Sequence, residues 1–575
     1  MRKRIAVAVM AAMVVALSAG PSVAGSQMFP VKKGSRGLSA YLVKPTEGLG
    51  EGSPAGWKKI TSLSYGNAAL ADECLTPESK DAACTTTSYV LPKSDYVVSV
   101  LMRGEGRARL QGSAEWTALK SAADNRYAWV ELGTVKEATQ VVVEVASSGA
   151  KVFFYGGLLA EGQVLPVVPV AKVVEKLKAG GPATVVLLGD SVTENSGGKG
   201  GGSSSFEKGN PGLMLALLKQ LSGGEVDYLA HREPPSWAGG KDPTKIPTAE
   251  VEGKAYYDSR IELDASKKVH LVNLGKGGAA SDWGWSRMGE VLIDNDYLDT
   301  KLPKEQHKDT VRFGLARYKP DVVFINFGTN DVNGVHGKWM VEDYLFHMKV
   351  LATNIQQRFG SAVVLSTPHK WTQGVHLGSH RQPAMVLALR AYCKATGLAL
   401  ADVYNEYGPG ENDGIHPRDA GHKHIADAYG KALLGQASAP AIQARFTAAE
   451  MKDNGDGTVT VGGALMWTRD TQASGGPVAA EKAAETVAAM NAAKKLGHDD
   501  WRLPTRDELA GLVDMTESNP ALPKGHPFVN VTGWYATSEG TWGVDMPSGV
   551  MYQAAGKATD RQVGVWAVRT GGGEL

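Results

Sequence analysis

The chain has 575 residues, with 61 Lys and Arg against 60 Asp and Glu, a formal charge of +1. That balance leaves no electrostatic case for a nucleic-acid or anionic-membrane partner. Hydrophobic residues at 43% and charged residues at 21% are globular proportions, which exclude wholesale disorder, and the length allows more than one buried core.

Arg2, Lys3 and Arg4 precede an uncharged apolar run at residues 5–19, and Pro21, Ser22 and Ala24 surround a cleavage point. This is the pattern of a secretory signal, residues 1–24, and the run is shorter than the ~20 residues of a spanning helix. An uncleaved anchor is the alternative. The mature chain is expected to be secreted, periplasmic or extracellular, with no integral membrane association after cleavage. In an exported chain, Cys74 and Cys84 are expected to form a local disulfide. Cys393, in a half-apolar helical stretch, is expected to be a buried thiol.

Residues 28–170 read as an all-β sandwich. β-branched and aromatic runs at 96–101, 140–145 and 151–155 are separated by Gly, Asp and Ser clusters. Such a module is either carbohydrate-binding or structural, and composition does not separate the two. Residues 180–434 alternate. Short apolar runs at 183–188, 269–272, 321–325, 362–365 and 398–403 have helical stretches between them, as at 213–221 and 341–358. Continuous apolar strands alternating with helices predict an α/β three-layer unit with a parallel sheet covered on both faces. Ligands of such sheets bind beyond the carboxyl ends of the strands. Residues 435–445 are a linker rich in Ala, Ser and Pro. Residues 446–575 form a third unit with Gly turns, many Trp and a helix at about 478–495.

The chemistry falls at the predicted strand ends. The first apolar run leads into Gly189-Asp190-Ser191, and a Ser just past a strand end can project its hydroxyl into the cleft. The second ends in Asn273-Leu274-Gly275-Lys276-Gly277-Gly278, where glycines let a backbone N–H approach a ligand closely. The third ends in Gly328-Thr329-Asn330-Asp331, which brings an amide donor to the same rim. Later comes Asp413-Gly414-Ile415-His416-Pro417, in which the carboxylate can orient the imidazole. A serine hydroxyl is a weak nucleophile until a base takes its proton, and donors aimed at the oxyanion stabilise the tetrahedral intermediate.

These four blocks, in this order, resemble those of the SGNH (GDSL-type) hydrolases over roughly residues 180–434. The resemblance implies a flavodoxin-like SGNH fold, Ser191 as nucleophile, His416 as base and Asp413 as its partner. It implies an oxyanion hole from the Ser191 and Gly278 backbone N–H groups and the Asn330 side chain, with no metal and no other cofactor. Two departures stand out. A Gly/Ser-rich loop at 195–205 follows the nucleophile block, as either a lid or a flexible insertion, and a longer insertion at 231–268 separates the first two blocks.

Trp283 and Trp285 either stack on a sugar ring in the cleft or pack internally, and His369 lies on a substrate-side loop. His369, His376 and His380 share that loop without a spaced acidic ligand, so no metal site is expected there. His422 and His424 are expected on the surface of a helix. In the third unit, the stretch Trp501-Arg502-Leu503-Pro504-Thr505-Arg506-Asp507-Glu508-Leu509, with Trp467, Trp534 and Trp566, resembles the DUF1566 domain. That resemblance implies an α+β, C-type-lectin-like fold and a binding or adhesion role. Buried Trp and an internal Arg–Glu pair suffice there as scaffold.

The reading is a secreted serine esterase that hydrolyses O-acyl, foremost O-acetyl, esters on an acylated polysaccharide or glycoconjugate. A secreted lipase or thioesterase, and an adhesion protein with an inactive hydrolase unit, are the alternatives.

Overall fold

The structure is a computed structural model that describes residues 32–47, 49, 52–62, 72–120, 127–148, 153–195, 202–230, 262–289, 291–293, 311–332, 341–370, 382–406, 416–436, 446–514, 517, 520–539, 542–547, 550–553 and 562–571. Residues 1–31, which include the expected signal segment, most of the linker, residues 231–261 of the long insertion, Asp413, His376 and His380 lie outside the described residues. Among the described residues no helix is long and apolar enough to cross a membrane.

The N-terminal region is a sandwich of two antiparallel sheets. One runs in the order Trp57–Ser62, Asp72–Pro77, Phe154–Gly162, Ser94–Arg103, Ala128–Ala138, with Ser39–Val43 also paired to Phe154–Gly162. The other is Ala83–Thr87, Val142–Ser147, Glu105–Leu110, Thr117–Lys120. Alternate residues of both sheets meet in a core that contains Trp57, Leu75, Val98, Val100, Val143 and Tyr155. The same alternation overturns the expected disulfide. Leu75 and Cys84 point into that core, whereas Cys74 packs with Leu101 and Tyr127 in a separate cluster. Neighbouring side chains of a strand point to opposite faces, so Cys74 and Cys84 lie on opposite sides of one sheet. Both carry thiols, and burial pushes that of Cys84 up to about 12.

The central unit holds six parallel strands: β1 (Ala183–Gly189), β2 (Val226–Ala230), β3 (Val269–Asn273), β4 (Val322–Asn326), β5 (Ala362–Ser366) and β6 (Ala399–Ala401). Their order is β2-β3-β1-β4-β5-β6. Val186, Leu188, Val323 and Ile325 face one core cluster, and Val185, Leu187, Val322 and Phe324 face the other. Both faces are therefore buried, which is why these strands are apolar without interruption. Helices α1 (Val170–Lys178), α2 (Asn210–Ser222) and α5 (Asp419–Leu433) cover one face. Helices α3 (Val341–Phe359) and α4 (Gln382–Thr396) cover the other, and Cys393 of α4 is buried there as expected. From β1 the chain goes to β2 and then β3 on one side, and from β3 it crosses to β4 on the other side of β1. The crevice past the end of β1 is thus a topological switch point.

The sandwich is seated on α3. Its edge strand Ser39–Val43 has backbone groups left over for pairing, and polar side chains of the helix take them. Ala40 N–H donates to Thr353 Oγ1 at 3.1 Å and Leu42 N–H to Asn354 Oδ1 at 3.1 Å. Asn354 Nδ2 donates to Ala40 C=O at 2.9 Å, and Arg358 to Leu42 C=O at 3.0 Å. Ala40 and Leu42 also belong to the core cluster that contains Trp285, Val350 and Leu351. Beside this strand a buried Lys32–Glu161 pair closes at 2.5 Å, with Lys349 Nζ 3.3 Å from Ser35 Oγ. Covering an edge strand in this way removes an open pairing site. It also makes sandwich and hydrolase unit share one interior.

The third unit combines a four-stranded antiparallel sheet, Met451–Asp453, Thr458–Val461, Leu465–Thr468 and Val568–Thr570, with a three-stranded one, Trp534–Ala536, Trp542–Asp545 and Val550–Gln553. Its helix is shorter than expected, Ala483–Ala492, preceded by a 3-10 turn. Trp566 is its hub, with ring centroids 5.3 Å from Trp467, 4.7 Å from Phe528 and 5.3 Å from Tyr535. The expected Arg–Glu pair is Arg502 with Glu508, joined by two bonds of 2.7 Å. Glu508 also closes a capping box with Thr505 at the start of Arg506–Leu512.

Candidate active site

At the end of β1 the chain makes a single helical turn, Ser191–Glu194. Asp190 caps it: its side chain accepts from Val192 N–H at 2.9 Å. The cap fixes Ser191 at the first helical position, where its N–H is one of the donors without an intrahelical partner. His416 precedes α5, and its Nε2 lies 3.2 Å from Ser191 Oγ. Residues 225 apart in sequence thus meet at hydrogen-bond distance. Imidazole in this place can take the hydroxyl proton. Asp413, the expected partner of His416, lies outside the described residues.

The β3 loop is pressed against this turn. Lys276 N–H donates to Gly189 C=O at 3.0 Å, and Asn273 Nδ2 donates to Thr193 C=O at 2.9 Å. A Cβ on Gly275 would stand 2.3 Å from Glu194 N, so only glycine allows this approach. Gly278 has φ +76°, left-handed backbone that favours glycine. Asn330, in the turn Thr329–Val332 past β4, donates from Nδ2 to Ala279 C=O at 2.9 Å. An amide nitrogen carries two N–H groups, so the second remains for a ligand. The candidate donors Ser191, Gly278 and Asn330 thus stand on three loops that contact one another at the switch point.

Buried charge lies behind these donors. Burial raises Asp190 to about 7 and Asp331 to about 6. Ser281 donates to Asp331 from its N–H, at 3.1 Å to each oxygen, and its Oγ lies 2.8 Å from His347 Nδ1. Burial lowers His347 to about 3, so it is neutral. Sequence reasoning missed Asp190, Ser281 and His347. The capping spacing of Asp190 was readable, whereas no local pattern marks His347.

Other expectations need correction. Trp283 and Trp285 are 6% and 3% exposed, in a 3-10 segment (Ser281–Met288) packed into the main core. Arg287 lies 4.1 Å over the Trp283 ring and Arg358 5.2 Å over that of Trp285. With their faces covered they are packing residues, not sugar platforms. His369 is buried too, its backbone C=O accepting from Gln382 at 2.8 Å. A buried side chain offers no surface to a substrate, so His369 is not placed to bind one directly. His422, expected on the surface, is buried, and its Nδ1 accepts from Asn210 N–H at 3.3 Å. The two described ends of the Gly/Ser loop are tied to each other and to α5. Ser203 Oγ donates to Asn195 Oδ1 at 3.0 Å, and Ser204 N–H donates to Asp419 at 2.7 Å.

Fold and site together define an α/β hydrolase with a serine–imidazole pair at the strand ends. Residues 247–424 match the GDSL-like lipase/acylhydrolase family, and residues 461–569 match the Lcl C-terminal domain. The central unit is therefore that of a carboxylic ester hydrolase of the SGNH type. The match begins after Gly189-Asp190-Ser191, the block that the sheet itself brings beside His416.

Similar solved structures include an alpha/beta hydrolase enzyme from the metagenome of Lake Arreo, at 20% identity over 45% of this chain and 98% of that one, TM-score 0.26. A family two carbohydrate esterase from Cellvibrio japonicus is 13% identical over 69% of this chain and 98% of that one, TM-score 0.25. An acetylxylan esterase from Geobacillus stearothermophilus is 16% identical over 44% of this chain and 96% of that one, TM-score 0.26. No curated protein matches the sequence.

Proposed function

We propose that this chain is an exported serine esterase that removes acyl groups, foremost acetyl, from a polysaccharide or glycoconjugate. The observation that carries the reading is the 3.2 Å approach of Ser191 Oγ to His416 Nε2 beside the Gly278 and Asn330 loops. In the first half-reaction His416 takes the Ser191 proton as Oγ attacks the ester carbonyl. Negative charge on the carbonyl oxygen is met by the N–H groups of Ser191 and Gly278 and by Asn330 Nδ2–H. The tetrahedral intermediate collapses to an acyl-enzyme, and the sugar hydroxyl leaves with the proton from His416. In the second half-reaction water attacks, His416 takes its proton, and the carboxylic acid and free Ser191 are released. Asp413 holds the charged imidazole.

Export is supported by the basic, apolar and small-residue pattern of residues 1–24. The flanking units, the sandwich and the third unit with its DUF1566 resemblance, are the parts assigned to hold the chain on the polymer. The test is acetate release from acetylated xylan, pectin and peptidoglycan by the full chain beside Ser191→Ala. Acetate from one polymer, absent with the variant, supports the reading. Turnover that rises with acyl length and is absent on every polymer contradicts the glycan substrate.

A further inference from the structure

Two loops supply the oxyanion donors that are not on the nucleophile turn, and two straps tie them together. One is Asn330 Nδ2–H to Ala279 C=O, at 2.9 Å. The other starts one residue after Asn330 and ends three residues after Gly278: Ser281 donates to Asp331 from both its N–H and its hydroxyl, the hydroxyl at 2.5 Å. An ionised carboxylate only accepts, so the single Ser281 proton goes to Asp331. Ser281 Oγ must then accept from His347 Nδ1–H, at 2.8 Å. The chain of donors therefore runs one way, from His347 through Ser281 to Asp331. All three residues are 0% exposed.

We propose that Asp331, Ser281 and His347 are positioning residues that hold the Gly278 and Asn330 donors in register for the tetrahedral intermediate. None of the three is placed to touch substrate. Their effect runs through the separation of the two donors and through the direction of the second Asn330 N–H. The inference rests on the proposed role of those donors. Its physical logic is preorganisation: a donor helps only if it stands in place before charge develops. A carboxylate buried this deeply is costly, and it is offset here by several hydrogen bonds on one loop. His347 adds a fixed external reference. Its helix α3 is held on the sandwich side through Thr353, Asn354 and Arg358. The oxyanion loop is thus braced against an element that cannot shift without breaking the seat of the sandwich.

The test uses the full chain and three variants. Ser281→Ala removes both hydroxyl bonds, His347→Leu removes the imidazole donor, and His347→Asn returns a donor at the Nδ1 position. Two readouts are taken: kcat and KM on p-nitrophenyl acetate, and backbone hydrogen exchange across residues 274–289. Ser281→Ala and His347→Leu are expected to lower kcat by about 10–100-fold, part of the ~10²–10³ lost with a whole donor. KM stays within about twofold, and His347→Asn stays within about threefold of the parent in kcat. Exchange across 274–289 quickens in the first two variants and is restored by Asn. Parent-like kcat and exchange in both Ser281→Ala and His347→Leu would overturn the proposal. So would equal loss in His347→Asn and His347→Leu. If the parent chain turns over no ester, the esterase reading fails by itself, and the exchange data still decide whether these residues position the loop.

Discussion

Replacing Asn354 by Ala tests whether the sandwich is part of the enzyme's interior or a module beside it. The Asn354 side chain accepts from Leu42 N–H and donates to Ala40 C=O, both in a buried strand. Alanine leaves those two backbone groups without partners and without access to water. Each such group costs about 1–3 kcal/mol, so the variant should lose about 2–6 kcal/mol of unfolding free energy. Gln357 of the same helix is the control, since its bond to Val90 C=O is exposed, and Gln357→Ala should stay within about 0.5 kcal/mol of the parent. Urea unfolding followed by fluorescence and by hydrogen exchange measures both. Asn354→Ala should have a lower midpoint, with sandwich and central-sheet peptides losing protection in one transition. Parent-like stability, or a sandwich that melts alone and leaves the sheet protected, would mean that the two units do not share one interior.

Burial raises Asp190 from 3.8 to about 7, so between these values the native state holds a proton that the unfolded chain has released. Its stabilising effect is full below about pH 4 and lost as pH rises through about 7, an amount on the order of 4 kcal/mol. Asn caps helices as well as Asp does, so Asp190→Asn should keep the turn and reduce the decline in unfolding free energy between pH 5 and pH 8; an unchanged slope would count against a buried, protonatable Asp190. Asn330→Ala should lower kcat by about 10²–10³ and, by leaving the buried Ala279 C=O without that bond, cost about 1–3 kcal/mol of stability, and a kcat loss below about threefold would remove Asn330 from the oxyanion hole. Thiol titration in denaturant without reductant should find all three cysteines reactive, whereas a Cys74–Cys84 bridge would leave only Cys393.

The central sheet was legible because its strands are buried on both faces and read as unbroken apolar runs. Strand β2 was not, since Asp227 and Tyr228 interrupt the run at a sheet edge. Ser191, Gly278, Asn330 and His416 stood out as candidates because each sits at a strand end or a late loop with glycine nearby, and the fold brings Ser191 and His416 to 3.2 Å. Which side of a sheet a cysteine faces depends on strand register, and the spacing of Cys74 and Cys84 does not carry that. Trp283, Trp285, His369 and His422 misled for a related reason: proximity to a motif does not tell whether a side chain turns to the cleft or to the core. His347 bears no local mark at all. Its neighbours are apolar and polar on every side because α3 is enclosed between the sheet and the sandwich, and only the folded chain brings it to Ser281.

The most direct test of the central claim is hydrolysis of p-nitrophenyl acetate by the full chain beside Ser191→Ala, with both shown to be folded. The parent should turn over and the variant fall by at least about 10⁴-fold, with an acetyl group trapped on Ser191 in the parent at early times. Equal turnover by both proteins, or none by the folded parent, would contradict the claim.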